Sequence, residues 1–122
     1  MRGGTLTHNH PVSVAYPEGD PRRGGISFSL EDILLAIQES LAEIRAVSPG
    51  YLHSMRPHGR RWPRRAMVRR AYAEARRAEQ QEDLVATRDG TLDYATAQAD
   101  FYHLVWDRVA AQAGLDYARE AR

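Results

Sequence analysis

The 122-residue sequence predicts a single α+β domain: a small three-stranded sheet with a covering helix, followed by a C-terminal antiparallel helical hairpin. Three observations predict it. Residues 1–57 hold short β-type runs around one capped helix pattern, and residues 58–122 hold two long stretches whose apolar positions return every three or four residues. Turn dipeptides separate these segments, and neither half shows a solenoid or heptad period.

Each element follows from local chemistry. Gly4-Thr5-Leu6-Thr7-His8-Asn9-His10 alternates small or apolar with polar residues and stops at Pro11, which reads as a short strand. Three prolines and three glycines then make residues 11–28 a long surface loop, either a lid or an insertion. Ser29-Leu30-Glu31-Asp32 opens a helix: Ser is a preferred cap, an acid three residues on completes a capping box, and Ile33, Leu34, Ile37 and Leu41 carry helical spacing to about residue 42. Residues 43–48 and 51–55 flank Pro49-Gly50 as a hairpin, and residues 56–61 are a polar connector. Pro63 suits a helix start, and the Ala, Arg, Glu and Gln that follow favour a helix to about residue 85. After Asp89-Gly90, the residues Ala95, Ala99, Tyr102, Trp106, Val109 and Ala113 mark a last helix that Gly114 ends, with Tyr102 and Trp106 in the core.

Composition bounds the chemistry. There is no cysteine, so disulfides, thiolate metal sites and a cysteine nucleophile are excluded, and any metal must be held by His and carboxylates. Apolar runs fall far short of the roughly 20 residues that span a bilayer, so the chain is expected in the cytoplasm. The net charge of +1 hides an asymmetry: residues 1–55 carry four Arg against six acids, 56–77 nine against one, and 78–122 four against nine. Every cation is Arg, which can fork onto carboxylate or phosphate.

His8, His10, Ser29 and Asp32 carry the most specific pattern. Residues i and i+2 of a strand project to one side, so His8 and His10 can present imidazoles to one ion, and Asp32 in the first turn of the next helix can add a carboxylate. Two His and one carboxylate with an open fourth position is the arrangement of a catalytic zinc site. Ser29, one turn before Asp32, is placed to hydrogen-bond a bound water or a developing oxyanion. If each element is read alone, the histidines are polar strand-end residues and Ser29 and Asp32 only cap a helix. His53, His58 and His103 show no metal spacing and read as structural or surface residues.

His8-Asn9-His10-Pro11 followed by Ser29-Leu30-Glu31-Asp32 resembles the His-x-His-Pro…Ser-x-x-Asp signature of JAB/MPN metalloproteases. A wider resemblance, through Ser27-Phe28-Ser29, Ala42-Glu43-Ile44-Arg45-Ala46-Val47-Ser48, Val105-Trp106-Asp107-Arg108-Val109-Ala110 and Gly114-Leu115-Asp116-Tyr117, is to the C-terminal JAB-like region of phage Mu F-type minor head proteins and related effectors. The resemblance implies a phage or prophage origin, a location in the host cell or virion, and a zinc core in which His8, His10 and Asp32 are ligands and Ser29 supports the active water. The family takes its general base, a Glu, from a strand upstream of the His pair. Seven residues precede His8 and none is acidic, with Glu31 and Glu43 as conceivable substitutes. The expectation is a truncated JAB-like core over residues 1–57, either a fragment of a longer product or a domain degenerate as a hydrolase and acting as a binding module.

The second candidate surface is the basic helix. On a wheel of roughly 100° per residue, Met67, Val68, Ala71, Ala75 and Ala78 fall in one arc and Arg65, Arg69, Arg70, Arg76 and Arg77 opposite them. Together with Arg60, Arg61 and Trp62 these are either a partner-binding surface, or else a solvated face or a partner for Asp93, Asp100 and Asp107 of the last helix. Trp62 reads as a base-stacking residue or as an anchor for the helix start. The partners this surface admits are an acidic protein, such as a host-defence nuclease inhibited in the manner of an anti-CRISPR protein, a nucleic acid, or a second copy in a homodimer.

Overall fold

The computed structural model of the chain describes residues 3–9 and 16–122, and His10 lies outside them. Its elements are β1 (Thr5–Asn9), a 3-10 turn (Pro21–Gly24), α1 (Leu30–Gln38), β2 (Glu43–Val47), β3 (Tyr51–Pro57), α2 (Arg65–Arg88), α3 (Tyr94–Ala113) and β4 (Leu115–Ala121). The α+β class holds, with a four-stranded mixed sheet in the order β1-β2-β3-β4. β1 and β2 are parallel and joined through α1, whereas β2–β3 and β3–β4 are antiparallel.

Strand alternation builds a two-layer molecule. Register puts Leu6, Ile44, Met55 and Tyr117 in one row across the sheet and His8, Ala46, His53 and Arg119 in the next. Those rows face the helices; Ile44, Ala46, Met55 and Leu115 join Ile33, Ala36, Val68, Ala71, Val105, Trp106 and Val109 in one apolar core. The other face carries Glu43, Arg45, Ser54, Arg56, Asp116 and Glu120 toward solvent. A sheet with one wet face gives this inside-outside alternation.

The expected three-stranded sheet is corrected by β4. In Leu115-Asp116-Tyr117-Ala118-Arg119-Glu120-Ala121 an arginine occupies an inward position, which breaks the apolar alternation that marks a strand. Arg119 is accepted there because its guanidinium pairs with Asp100 of α3 at 2.7 Å and lies over the Tyr51 ring at 4.4 Å. α1 is also shorter than its periodicity predicts: the chain leaves the helix at Glu39, and Ser40 takes a positive φ of 50°. Leu41 is then buried from a loop rather than from the helix.

The helical hairpin forms as expected. Arg108 of α3 reaches Glu79 and Gln112 reaches Glu74, an order that antiparallel helices produce. Gly114 ends α3 in the left-handed region, at φ 73°, which glycine adopts without penalty. No helix among the described residues is long and apolar enough to cross a membrane.

Of the predicted loop, residues 11–15 lie outside the described residues, and residues 16–28 pack against the rest of the fold. Asp20 caps the 3-10 turn and its carboxylate grips the Arg22 guanidinium at 2.7 Å, which holds the acid down at about 2. Arg22 also donates to Gln98 of α3 at 2.9 Å. Ser48, just past β2, donates to the Gly24 carbonyl at 2.6 Å, and Gly25, Ser27 and Phe28 are buried.

Candidate functional site

In a β-α-β crossover the helix returns against the strand direction, so its N-terminus lies where the strands end. By that geometry the end of β1, with His8, and the start of α1, with Ser29 and Asp32, share one end of the sheet. His8 faces the helices beside Ala46, and its Nε2 is buried. The approach to α1 is held from inside: the Trp106 indole donates to the Phe28 carbonyl at 2.8 Å, and the Ser27 hydroxyl meets the Tyr117 phenol at 2.8 Å.

Ser29 and Asp32 form the capping box that their spacing predicts. The Asp32 N–H donates to Ser29 Oγ at 3.1 Å, and the Ser29 N–H donates to Asp32 Oδ2 at 3.0 Å. The Ser29 oxygen thus serves the helix cap, and one oxygen of Asp32 is fixed in direction by the same motif. Of the three predicted ligands, the structure describes His8 and Asp32, while the third, His10, lies outside the described residues. Among the described residues no three His, Asp or Glu side chains gather as a metal site.

The candidate substitute bases fall in unsuitable places. Glu43 pairs with Thr5 in the register, three residues before His8, so it sits about 10 Å away along the sheet at ~3.3 Å per residue. It also belongs to the opposite, solvent-facing side, where it pairs with Arg45. Glu31 is exposed in the first turn of α1, on the wall of a cleft of about 340 Å³ shared with Ser29, Tyr72, Arg76 and Tyr102.

A polar chain that sequence reading missed runs beneath this region. Tyr117 OH contacts Ser27 Oγ on one side and His103 Nδ1 at 2.9 Å on the other, and His103 Nε2 lies 3.5 Å from Asp107. Burial pushes the Tyr117 phenol well above its ordinary value, so it stays protonated and able to donate. Burial, reinforced by Arg119, lowers His103. His53 stacks on Tyr117 with centroids 6.5 Å apart and is fully buried, while His58 pairs with Asp116 at 2.6 Å on the surface. The chain joins α3, β4 and the pre-α1 loop, which are far apart in sequence and carried no local signal.

Of the arginines before and along α2, Arg76 alone lines the cleft with Ser29 and Glu31. Arg60, Arg61, Arg64, Arg65, Arg69, Arg70, Arg76 and Arg77 are exposed, and none is within ion-pair distance of a carboxylate among the described residues. The expected pairing with the acids of α3 does not form: Asp93 caps its own helix through Thr96, Asp100 holds Arg119 and Asp107 faces His103. The helix-to-helix ion pairs run the other way, from Arg108 of α3 to Glu79 and Glu82 of α2 at 2.6 Å each. Trp62 is an anchor: half-buried against the core, it donates from its indole N–H to the Leu41 carbonyl at 2.7 Å.

Comparisons with protein-family models, with curated proteins and with solved structures find no match to this chain.

Proposed function

We propose that the chain is a JAB-like metal-binding module in which His8, His10 and Asp32 hold one zinc ion, without hydrolytic activity, and which works by binding a partner. The phage origin implied by the sequence resemblance, with a place in the infected cell or virion, belongs to the same proposal. The observation that supports it is the β1-α1-β2 crossover, which brings His8 of the strand end and Ser29 and Asp32 of the helix start to one end of the sheet. The donor set of two imidazoles and a carboxylate suits zinc, and Asp32 is already oriented by the Ser29 N–H, as ligating carboxylates commonly are by outer hydrogen bonds.

Bound zinc would supply a Lewis acid and bring a coordinated water to a pKa of about 7. Hydrolysis needs in addition a base within hydrogen-bond reach. Glu43 is on the wrong face of the sheet and Glu31 points to solvent, which is why binding, and not turnover, is the reading we adopt.

Metal analysis of untagged protein tests it. About one zinc per chain is expected, falling below about 0.2 in His8→Ala and in Asp32→Asn, the latter keeping a side-chain oxygen for the helix cap. Zinc below about 0.2 in the unaltered, folded protein overturns the proposal.

A further inference from the structure

We propose that the N-terminal half of α2 and the connector before it bind the phosphate backbone of duplex nucleic acid without reading its sequence. The inference stands apart from the metal site and rests on four features of one surface.

Charge comes first. Arg65, Arg69 and Arg76 form one row along α2 and Arg70 and Arg77 a second, all exposed and none balanced by a carboxylate among the described residues. Glu74, the single acid of residues 56–77, is turned to Gln112 of α3 at 3.1 Å. The row from Arg65 to Arg76 spans about 16 Å at 1.5 Å per residue, roughly five base-pair rises of a duplex.

The second feature is an energetic oddity. Arg60, Arg61, Arg64 and Arg65 crowd the N-terminus of α2, where the helix dipole already disfavours cations. Arg64 at the cap makes no side-chain hydrogen bond to the helix, and the first turn contains no acid. No carboxylate among the described residues lies within ion-pair distance of these four guanidinium groups. An anion laid across it would meet both the guanidinium groups and the uncapped backbone N–H groups.

Two absences among the described residues choose the partner. The Arg face has Ala66, Ala73 and Gln80 between its arginines; Met67 lies at its flank, and Tyr72, under the Arg76 guanidinium at 5.8 Å, is buried. Among its arginines it therefore presents no exposed aromatic or apolar anchor of the kind around which protein interfaces organise. Trp62, the aromatic that would stack on an unpaired base, is committed to Leu41 and the core. A face with charge and no stacking platform suits a duplex backbone better than a single strand or a protein.

The test is fluorescence anisotropy of a labelled mixed-sequence duplex DNA with the full chain, titrated over salt. With about five phosphate contacts the slope of log K against log salt is about −4.5, a fall of about 500-fold between 50 and 200 mM. Arg69→Gln, Arg70→Gln, Arg76→Gln and Arg77→Gln, each at an exposed position, should each flatten the slope by about one unit while melting like the parent. No duplex binding at low salt, a flat salt response, or substitutions that leave the slope unchanged would overturn the proposal. Binding of a polyglutamate peptide at this face without binding of duplex would overturn it in favour of a protein partner.

Discussion

Replacing Gly25 by alanine probes whether the segment ahead of α1 is a packed part of the fold. Gly25 is buried at φ 94° and ψ 172°, a combination open almost only to glycine, and other residues held there lose on the order of 1–3 kcal/mol. A Cβ at this position would lie 2.4 Å from the Ser48 Cβ and 2.7 Å from its Oγ. Ser48 cannot step aside cheaply, because its hydroxyl is bonded to the Gly24 carbonyl at 2.6 Å. Overpacking of that kind adds about 1–3 kcal/mol, for a combined loss of roughly 2–6 kcal/mol. With an unfolding entropy of about 2 cal/mol/K per residue, the melting temperature of Gly25→Ala should fall by roughly 8–25 °C. Gly90→Ala is the control: φ is also positive, at 69°, but nothing lies within 4 Å of the new Cβ, so a loss of about 1 kcal/mol is expected. Adding Ser48→Gly to Gly25→Ala removes the contact and leaves the backbone strain, which should restore about 1–2 kcal/mol as a coupling term. Thermal and urea unfolding followed by circular dichroism read all three. A Gly25→Ala protein that melts within about 3 °C of the parent, or no lower than Gly90→Ala, would refute the reasoning.

Trp106→Phe should cost about 2–4 kcal/mol, since it strands the buried Phe28 carbonyl and leaves a void beside Tyr72, whose ring centroid is 5.0 Å from the indole. Urea unfolding checks this, and a loss below about 1 kcal/mol contradicts it. His103 gives the fold an acid sensitivity. Its folded-state pKa is lowered by burial and then by Arg119, so the unfolded chain binds the proton more readily, and the contribution of the neutral imidazole is complete above its ordinary value of 6.5 and lost as pH falls below it. Stability should therefore decline on acidification below 6.5, and His103→Gln should flatten that part of the profile. An unchanged slope in the variant would show that another group titrates.

The elements with strong local chemistry were legible in the sequence, and those decided by long-range compensation were not. The Ser29–Asp32 capping box, the α2–α3 hairpin and the Gly114 stop follow from residue types at fixed spacing, and all three are present. β4 was hidden because Arg119 interrupts its alternation, and only Asp100 and Tyr51, distant along the chain, make that position tolerable. The loop before α1 reads as a lid or an insertion because Gly and Pro signal turns, whereas the Ser48–Gly24 and Arg22–Gln98 bonds that pin it leave no trace in local composition. For the candidate site, the sequence named His8 and Asp32. Only the register of β1 against β2 shows that Glu43 faces away from His8. The basic helix was visible as charge counts, but whether α3 would neutralise it depended on which acids were already taken. Asp93, Asp100 and Asp107 all are, by Thr96, Arg119 and His103.

X-ray absorption at the zinc edge of the purified, untagged chain is the most direct measurement of the metal site. The expected signature is a low-coordinate shell of nitrogen and oxygen at about 2.0–2.1 Å with the outer scattering of two imidazoles, one of which is lost when His8→Ala is reloaded with excess zinc. A shell of oxygen alone with no imidazole scattering, identical in the parent and in His8→Ala, would contradict it.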